Sequence, residues 1–121
     1  MRIGGRSKTA LAVAAIAALG SRADAASYAP LDCGKAASPA QFAICRNYSL
    51  GQAEARVATL FAIATSLVGM GQRGAIADAQ RRWLSGRESC GGNLACLSNA
   101  YRTRINELSK VIDAIASHGP F

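Results

Sequence analysis

Histidine occurs once in the 121 residues, at His118, and none of the four cysteines stands in a CxxC pair. A zinc site made of cysteines needs two tight knuckles, CxxC or close to it, whereas Cys33 and Cys45 have eleven residues between them. A redox dithiol wants a close pair with an activated thiolate, usually at a helix start beside a strand. The nearest pair here, Cys90 and Cys96, has five intervening residues and no βαβ pattern around it. Metal binding and redox catalysis are both disfavoured, and no cofactor is expected. Acidic residues are scarce, seven against fourteen basic ones, and aromatics make up 6% of the chain. The arginines are spread along the chain and not interleaved with aromatics, and nucleic-acid binding is not expected of an exported chain. No nucleophile stands beside a base and no two carboxylates form a close pair, which argues against an enzyme. No apolar run approaches the ~20 residues that cross a bilayer as a helix. No lipobox precedes a cysteine either, because Cys33 follows Ala29-Pro30-Leu31-Asp32.

What the sequence does have begins at its start. Arg2, Arg6 and Lys8 precede the apolar run TALAVAAIAALG, and Ala23-Asp24-Ala25 fits the small-x-small rule for signal-peptidase cleavage. Residues 1 to 25 therefore read as a secretory signal and residues 26 to 121 as one domain. Four basic residues and one acid lie in the signal, which leaves ten basic and six acidic residues, net +4, in the remaining 96. A domain of that size buries only about two thirds of its unfolded surface and gains from covalent help. The expected compartment is the periplasm or the exterior, with no stable membrane anchor.

The domain carries helical periodicity and no strand alternation. Ala26 to Lys35 reads as an extended segment. Ser38-Pro39-Ala40-Gln41 is a capping box with proline at the first helical position, opening a short helix to about Cys45. Ser49-Leu50-Gly51-Gln52 looks like a second box, followed by Leu50, Ala53, Val57, Leu60, Phe61, Ala64 and Leu67 on one face, to about Val68. Gly69, Gly71 and Gly74 suggest a turn, or a loosened stretch of helix. Ile76, Ala79, Gln80, Trp83, Arg87 and Cys90 share one face of a third helix, which Gly91-Gly92 would end in a left-handed cap. Asn93 is a natural cap for a fourth, with Leu97, Tyr101, Ile105, Leu108, Ile112 and Ile115 inward. The expected fold is all-α, a small antiparallel bundle of one short and three main helices.

In an oxidising compartment the four cysteines read as disulfides. A turn at Gly91-Gly92 can fold the chain back and bring Cys90 and Cys96 within the ~4.4 to 6.8 Å between α-carbons that a bridge requires. Cys33 with Cys45 would pin the extended segment to the short helix. Of the three connectivities, this local pairing is the expected one.

Gln80, Trp83, Arg87, Tyr101 and Arg104 fall on inward faces, and Glu54 sits at the edge of the second helix's apolar stripe. They could line a ligand cleft, or Arg87 or Arg104 could pair internally with Glu54 and helix-end carbonyls. Pairing is the expectation, because a buried charge must be matched. Arg46, Arg56, Arg73, Arg81, Arg82 and Arg102 are surface candidates, with Arg73, Arg81 and Arg82 as a possible binding surface. Asp78 and Arg82, four apart, could form a helix-surface pair. Asn47-Tyr48-Ser49 matches a glycosylation sequon but suits the helix start better.

The ordered pattern Q-x-x-W-x-x-x-R-x-x-C then C-L-x-x-x-Y-x-x-R-I-x-x-L resembles the LprI-like lysozyme inhibitor family of secreted bacterial proteins. It is carried by Gln80, Trp83, Arg87 and Cys90, then Cys96, Leu97, Tyr101, Arg104, Ile105 and Leu108. Cys33-Gly34-Lys35-Ala36, Ala43-Ile44-Cys45 and Leu50 to Phe61 look like the first half of that family, so the likeness spans most of residues 26 to 121. The chain departs from it in carrying Glu54 where the family usually has aspartate and Phe61 where it has tyrosine. The resemblance implies a small helical fold and inhibition of lysozyme, for which Arg73 on a Gly69–Gly74 loop could reach catalytic carboxylates. The alternative is a disulfide-stapled envelope binding module for an anionic partner, an acidic polymer or another envelope protein.

Overall fold

A computed structural model describes Tyr28 and residues 30 to 118. The expected signal, residues 1 to 25, lies outside the described residues. The elements are a short 3-10 helix at Cys33–Lys35 and four α-helices: α1 (Pro39–Arg46), α2 (Tyr48–Ser66), α3 (Met70–Ser89) and α4 (Leu94–Ala116). No strand occurs among the described residues, and the all-helical bundle expected from periodicity is the fold observed. None of the helices is long and apolar enough to cross a membrane.

Local sequence dictates most of the helix ends. At α1 the Ser38 hydroxyl accepts from the Gln41 N–H at 3.1 Å, and the Gln41 side-chain oxygen accepts from the Ala37 and Ser38 N–H groups at 2.8 and 3.4 Å. The start of α2 differs from expectation. Asn47 caps it, not Ser49: the Asn47 N–H closes α1 on the Ala43 carbonyl at 3.1 Å, while its side-chain oxygen accepts from Leu50 N–H at 3.0 Å. One residue ends one helix and begins the next, so no linker remains for Ser49 to occupy.

The glycine turn is also shorter than its glycines suggested. α2 ends at Ser66 and α3 already begins at Met70, so Gly71 and Gly74 are helical. Each costs about 1 kcal/mol relative to alanine in a helix. Burial of Ile76 and Ala77 one turn later offsets this, as does Arg73, which donates from Nε to the Thr65 carbonyl at 2.8 Å and from Nη2 to Val68 at 3.3 Å. Those are carbonyls that the end of α2 leaves free.

At the other end of α3, Cys90 is the C-cap, Gly91 takes a left-handed φ of 54°, and Asn93 accepts from Cys96 N–H at 2.9 Å to start α4. Short turns make α3 antiparallel to both α2 and α4. α2 and α4 therefore run the same way. Glu54 meets Tyr101 toward their starts, and Leu67 and Val68 stand beside Ala114 and Ile115 at their ends. Ile44, Val57, Phe61, Ala64, Leu97, Tyr101 and Leu108 form the core, and α1 packs across all three long helices. Both expected disulfides are present, Cys33–Cys45 with α-carbons 5.6 Å apart and Cys90–Cys96 at 5.5 Å.

Candidate functional site

The bundle's interior holds a carboxylate. Glu54, 3% exposed, faces inward from α2 and takes four hydrogen bonds. The Tyr28 and Tyr101 hydroxyls donate to it, as do Arg87 Nη1 at 3.0 Å and the Leu31 N–H at 3.2 Å. A carboxylate offers about four lone-pair directions, so this one is saturated and has none to spare for a proton on a substrate. Arg87 reaches it from α3, where the 3.6-residue period places Gln80, Trp83 and Arg87 inward. Its other nitrogen, Nη2, donates to Glu88 at 2.9 Å, and Glu88 in turn accepts from the Ser38 hydroxyl at 2.6 Å. The cap of α1 is thereby tied to α3.

A second cluster lies further along α4. Arg104 donates from Nε to the Gln80 side-chain oxygen at 2.7 Å, from Nη1 to Glu107 at 3.0 Å, and from Nη2 to the Ile76 carbonyl at 3.3 Å. Trp83 bridges the two clusters: its indole N–H donates to the Ala100 carbonyl at 2.9 Å, its ring meets Tyr101 edge-on at 5.2 Å, and the Arg87 guanidinium lies 5.6 Å from the ring centre. All five residues of the inward pattern, Gln80, Trp83, Arg87, Tyr101 and Arg104, are thus brought together. They form an internally paired framework, and of the five only Tyr101 also reaches the lining of an open groove. Gln80 Nε2 and Arg87 Nε alone lack a hydrogen-bond partner among the buried side-chain atoms described.

Burial, reinforced by the Glu54 carboxylate they bond, holds the Tyr28 and Tyr101 hydroxyls well above the ordinary phenol range. Burial opposes the charge on Arg87, but the Tyr101 oxygen and the Glu88 and Glu54 carboxylates more than reverse this, so the guanidinium also titrates above its usual value. For the tyrosines the folded pKa exceeds the unfolded value of about 10. The stability they contribute is therefore complete below pH 10 and is lost as pH rises beyond it through the folded values. In an alkaline titration, tyrosinate absorbance from Tyr28 and Tyr101 is expected to appear together with loss of the helical circular-dichroism signal. Full ionisation of all three tyrosines near pH 10 with the helices intact would show that the cluster is open to water.

The arginines expected on the surface divide into two groups. Arg73 is committed to the carbonyls at the end of α2, which removes it as a projecting finger and removes the Gly69–Gly74 loop that would have carried it. Asp78 pairs with Arg81, three residues on, and not with Arg82. Four of the six described side-chain carboxylates, Glu54, Asp78, Glu88 and Glu107, are in ion pairs, and Asp32 accepts from the Gly34 N–H. Among the described residues, Arg46, Arg56, Arg82, Arg102, Lys35 and Lys110 have no carboxylate partner, and all six are exposed. Two of them, Arg56 and Arg102, border an open groove of about 340 Å³ between α2 and α4, floored by Leu50, Ala53, Tyr101 and Ile105.

Sequence reasoning missed Tyr28, Leu31, Glu88 and this groove. Tyr28 lies in a segment without periodicity, and nothing local signals a contact 26 residues away. The groove was accessible in principle, since parallel α2 and α4 follow from two short turns. No group of three or more histidine, cysteine, aspartate or glutamate side chains among the described residues is arranged to hold a metal ion.

Comparison with models of protein families, with curated proteins and with solved structures gives no match for this chain.

Proposed function

We propose that the protein is an exported, non-enzymatic binding module of the LprI-like kind, and that the partner its geometry supports best is anionic. One observation carries this: four of the six described side-chain carboxylates are in ion pairs, while six exposed cations have no such partner. The charges left unpaired are therefore mostly basic, six cations against Asp32 and Asp113, and basic surfaces steer anionic partners. Export is supported by the leader pattern and by two disulfides, which persist in oxidising compartments. The saturated Glu54 counts against its serving as a general base, which needs an acceptor within reach of its substrate.

The test is retention of the oxidised protein on a sulfated polymer. It should weaken steeply as salt rises, because the Debye length shrinks from about 10 Å at 0.1 M to about 3 Å at 1 M. Retention that is absent at low salt, or indifferent to salt, would sink the idea. The LprI-like spacing of Gln80, Trp83, Arg87, Tyr101 and Arg104 supports a narrower second reading, inhibition of lysozyme. Its assay is lysis of cell walls by lysozyme with the oxidised protein in large molar excess, and undiminished lysis counts against it.

A further inference from the structure

We infer that the groove between α2 and α4 docks an acidic peptide segment of a partner protein, one aliphatic side chain lying on its floor and carboxylates against Arg56 and Arg102. This rests on the anionic-partner reading and gives it a place and a chemistry. No acidic residue lines the groove, and its two cations stand on different helices, Arg56 on α2 and Arg102 on α4. Both are exposed and without a carboxylate partner among the described residues. Charge complementarity therefore selects an anion, and the planar guanidinium fork matches a carboxylate through two parallel hydrogen bonds.

The floor selects what the anion is attached to. Leu50, Ala53 and Ile105 present aliphatic surface beside the arginines, and covering it contributes about 25 cal/mol per Å² of apolar area removed from water. A purely ionic polymer would leave that surface wet. Ser49, Ser98 and Asn106 place hydroxyls and an amide around it. Such groups want donors and acceptors spaced along the ligand, which a peptide backbone supplies and an acyl chain does not. At about 340 Å³ the groove lies near the small end of the range for ligand pockets, about 300 to 1,000 Å³. It has room for one or two side chains, not for a lipid tail.

The probe is a synthetic peptide of glutamate-leucine-glutamate repeats, titrated at low salt into the oxidised, isotope-labelled protein, with phosphatidylglycerol vesicles in parallel. Amide shifts are expected in α2 from Leu50 to Arg56 and in α4 from Arg102 to Asn106. Arg56→Gln and Arg102→Gln should each weaken the peptide about fivefold with wild-type melting, since both side chains are exposed. Arg82→Gln, on α3 and away from the groove, should leave affinity unchanged. If Arg82→Gln weakens binding as much as the groove variants, attraction is diffuse: the inference is overturned and the anionic reading survives. Vesicle binding without peptide binding would overturn it in favour of a membrane surface. Binding of neither probe would overturn the inference, and retention on the sulfated polymer would then decide the anionic reading separately.

Discussion

Glu54→Ala is expected to destabilise the fold by about 3 to 5 kcal/mol, the range found when one partner of a buried ion pair is removed. A small domain has about 5 to 15 kcal/mol in total, so the variant should be largely unfolded at physiological temperature or melt far below the parent. The magnitude follows from what is left behind. Arg87, 5% exposed, would keep its charge without the Glu54 carboxylate. The buried Tyr101 hydroxyl and the Leu31 N–H would lose their acceptor as well. Water has poor access because Glu54, Arg87 and Tyr101 are all buried. A double replacement, Glu54→Leu with Arg87→Met, removes both charges together and should recover much of the loss, since a buried ion pair exchanged for well-packed apolar groups is often neutral. Urea unfolding followed by circular dichroism measures both. A loss below about 1 kcal/mol in Glu54→Ala, the worth of an exposed pair, would show that the carboxylate is hydrated and the cluster peripheral.

Reduction of the two disulfides is expected to cost about 2 to 3 kcal/mol for each bridge on the chain-entropy account, again a large share of the total. The bridges should not be equivalent. Cys33–Cys45 closes a separation of 12 residues and Cys90–Cys96 one of 6. A doubling of loop length is worth only about 0.6 kcal/mol. The larger difference lies in what each bridge restrains. Cys33 anchors the segment whose Tyr28 and Leu31 bond Glu54, so Cys33→Ser with Cys45→Ser releases those two donors as well as the loop. Cys90–Cys96 spans a turn that Gly91 and the Asn93 cap already shape. Thermal melts of the two double variants should therefore rank 33–45 as the costlier loss, and equal or reversed midpoints would mean that the N-terminal segment contributes little.

The helices were legible where a local rule had no competitor. Ser38, Pro39 and Gln41 specify the start of α1 within four residues, and the observed bonds are those the rule describes. Asn93 and Gly91 did the same for the turn into α4. At the start of α2 two rules competed, and the route by which the chain leaves α1 favoured Asn47 over Ser49. Gly71 and Gly74 misled because propensity is weak beside the burial of Ile76 and the bonds of Arg73. The inward placement of Gln80, Trp83, Arg87, Tyr101 and Arg104 could be read from a 3.6-residue period, and so could their need for partners. Which partners they take could not: Glu54 with Arg87 is set by how α2 and α3 pack, and Tyr28 joins from a segment that carries no pattern.

The bundle's apolar faces are mostly alanine, leucine, isoleucine and valine, which pack in more than one alignment at similar energy. Glu54 does not tolerate that freedom. Its donors come from the N-terminal segment, α3 and α4, so sliding or rotating any one element by a turn would strand a buried charge or hydroxyl. The Ser38–Glu88 bond adds a weaker, partly exposed tie between α1 and α3. A misaligned packing would leave Glu54 or Arg87 buried without its partner, so Glu54, the one buried acid among the described residues, is expected to act as a key for helix register.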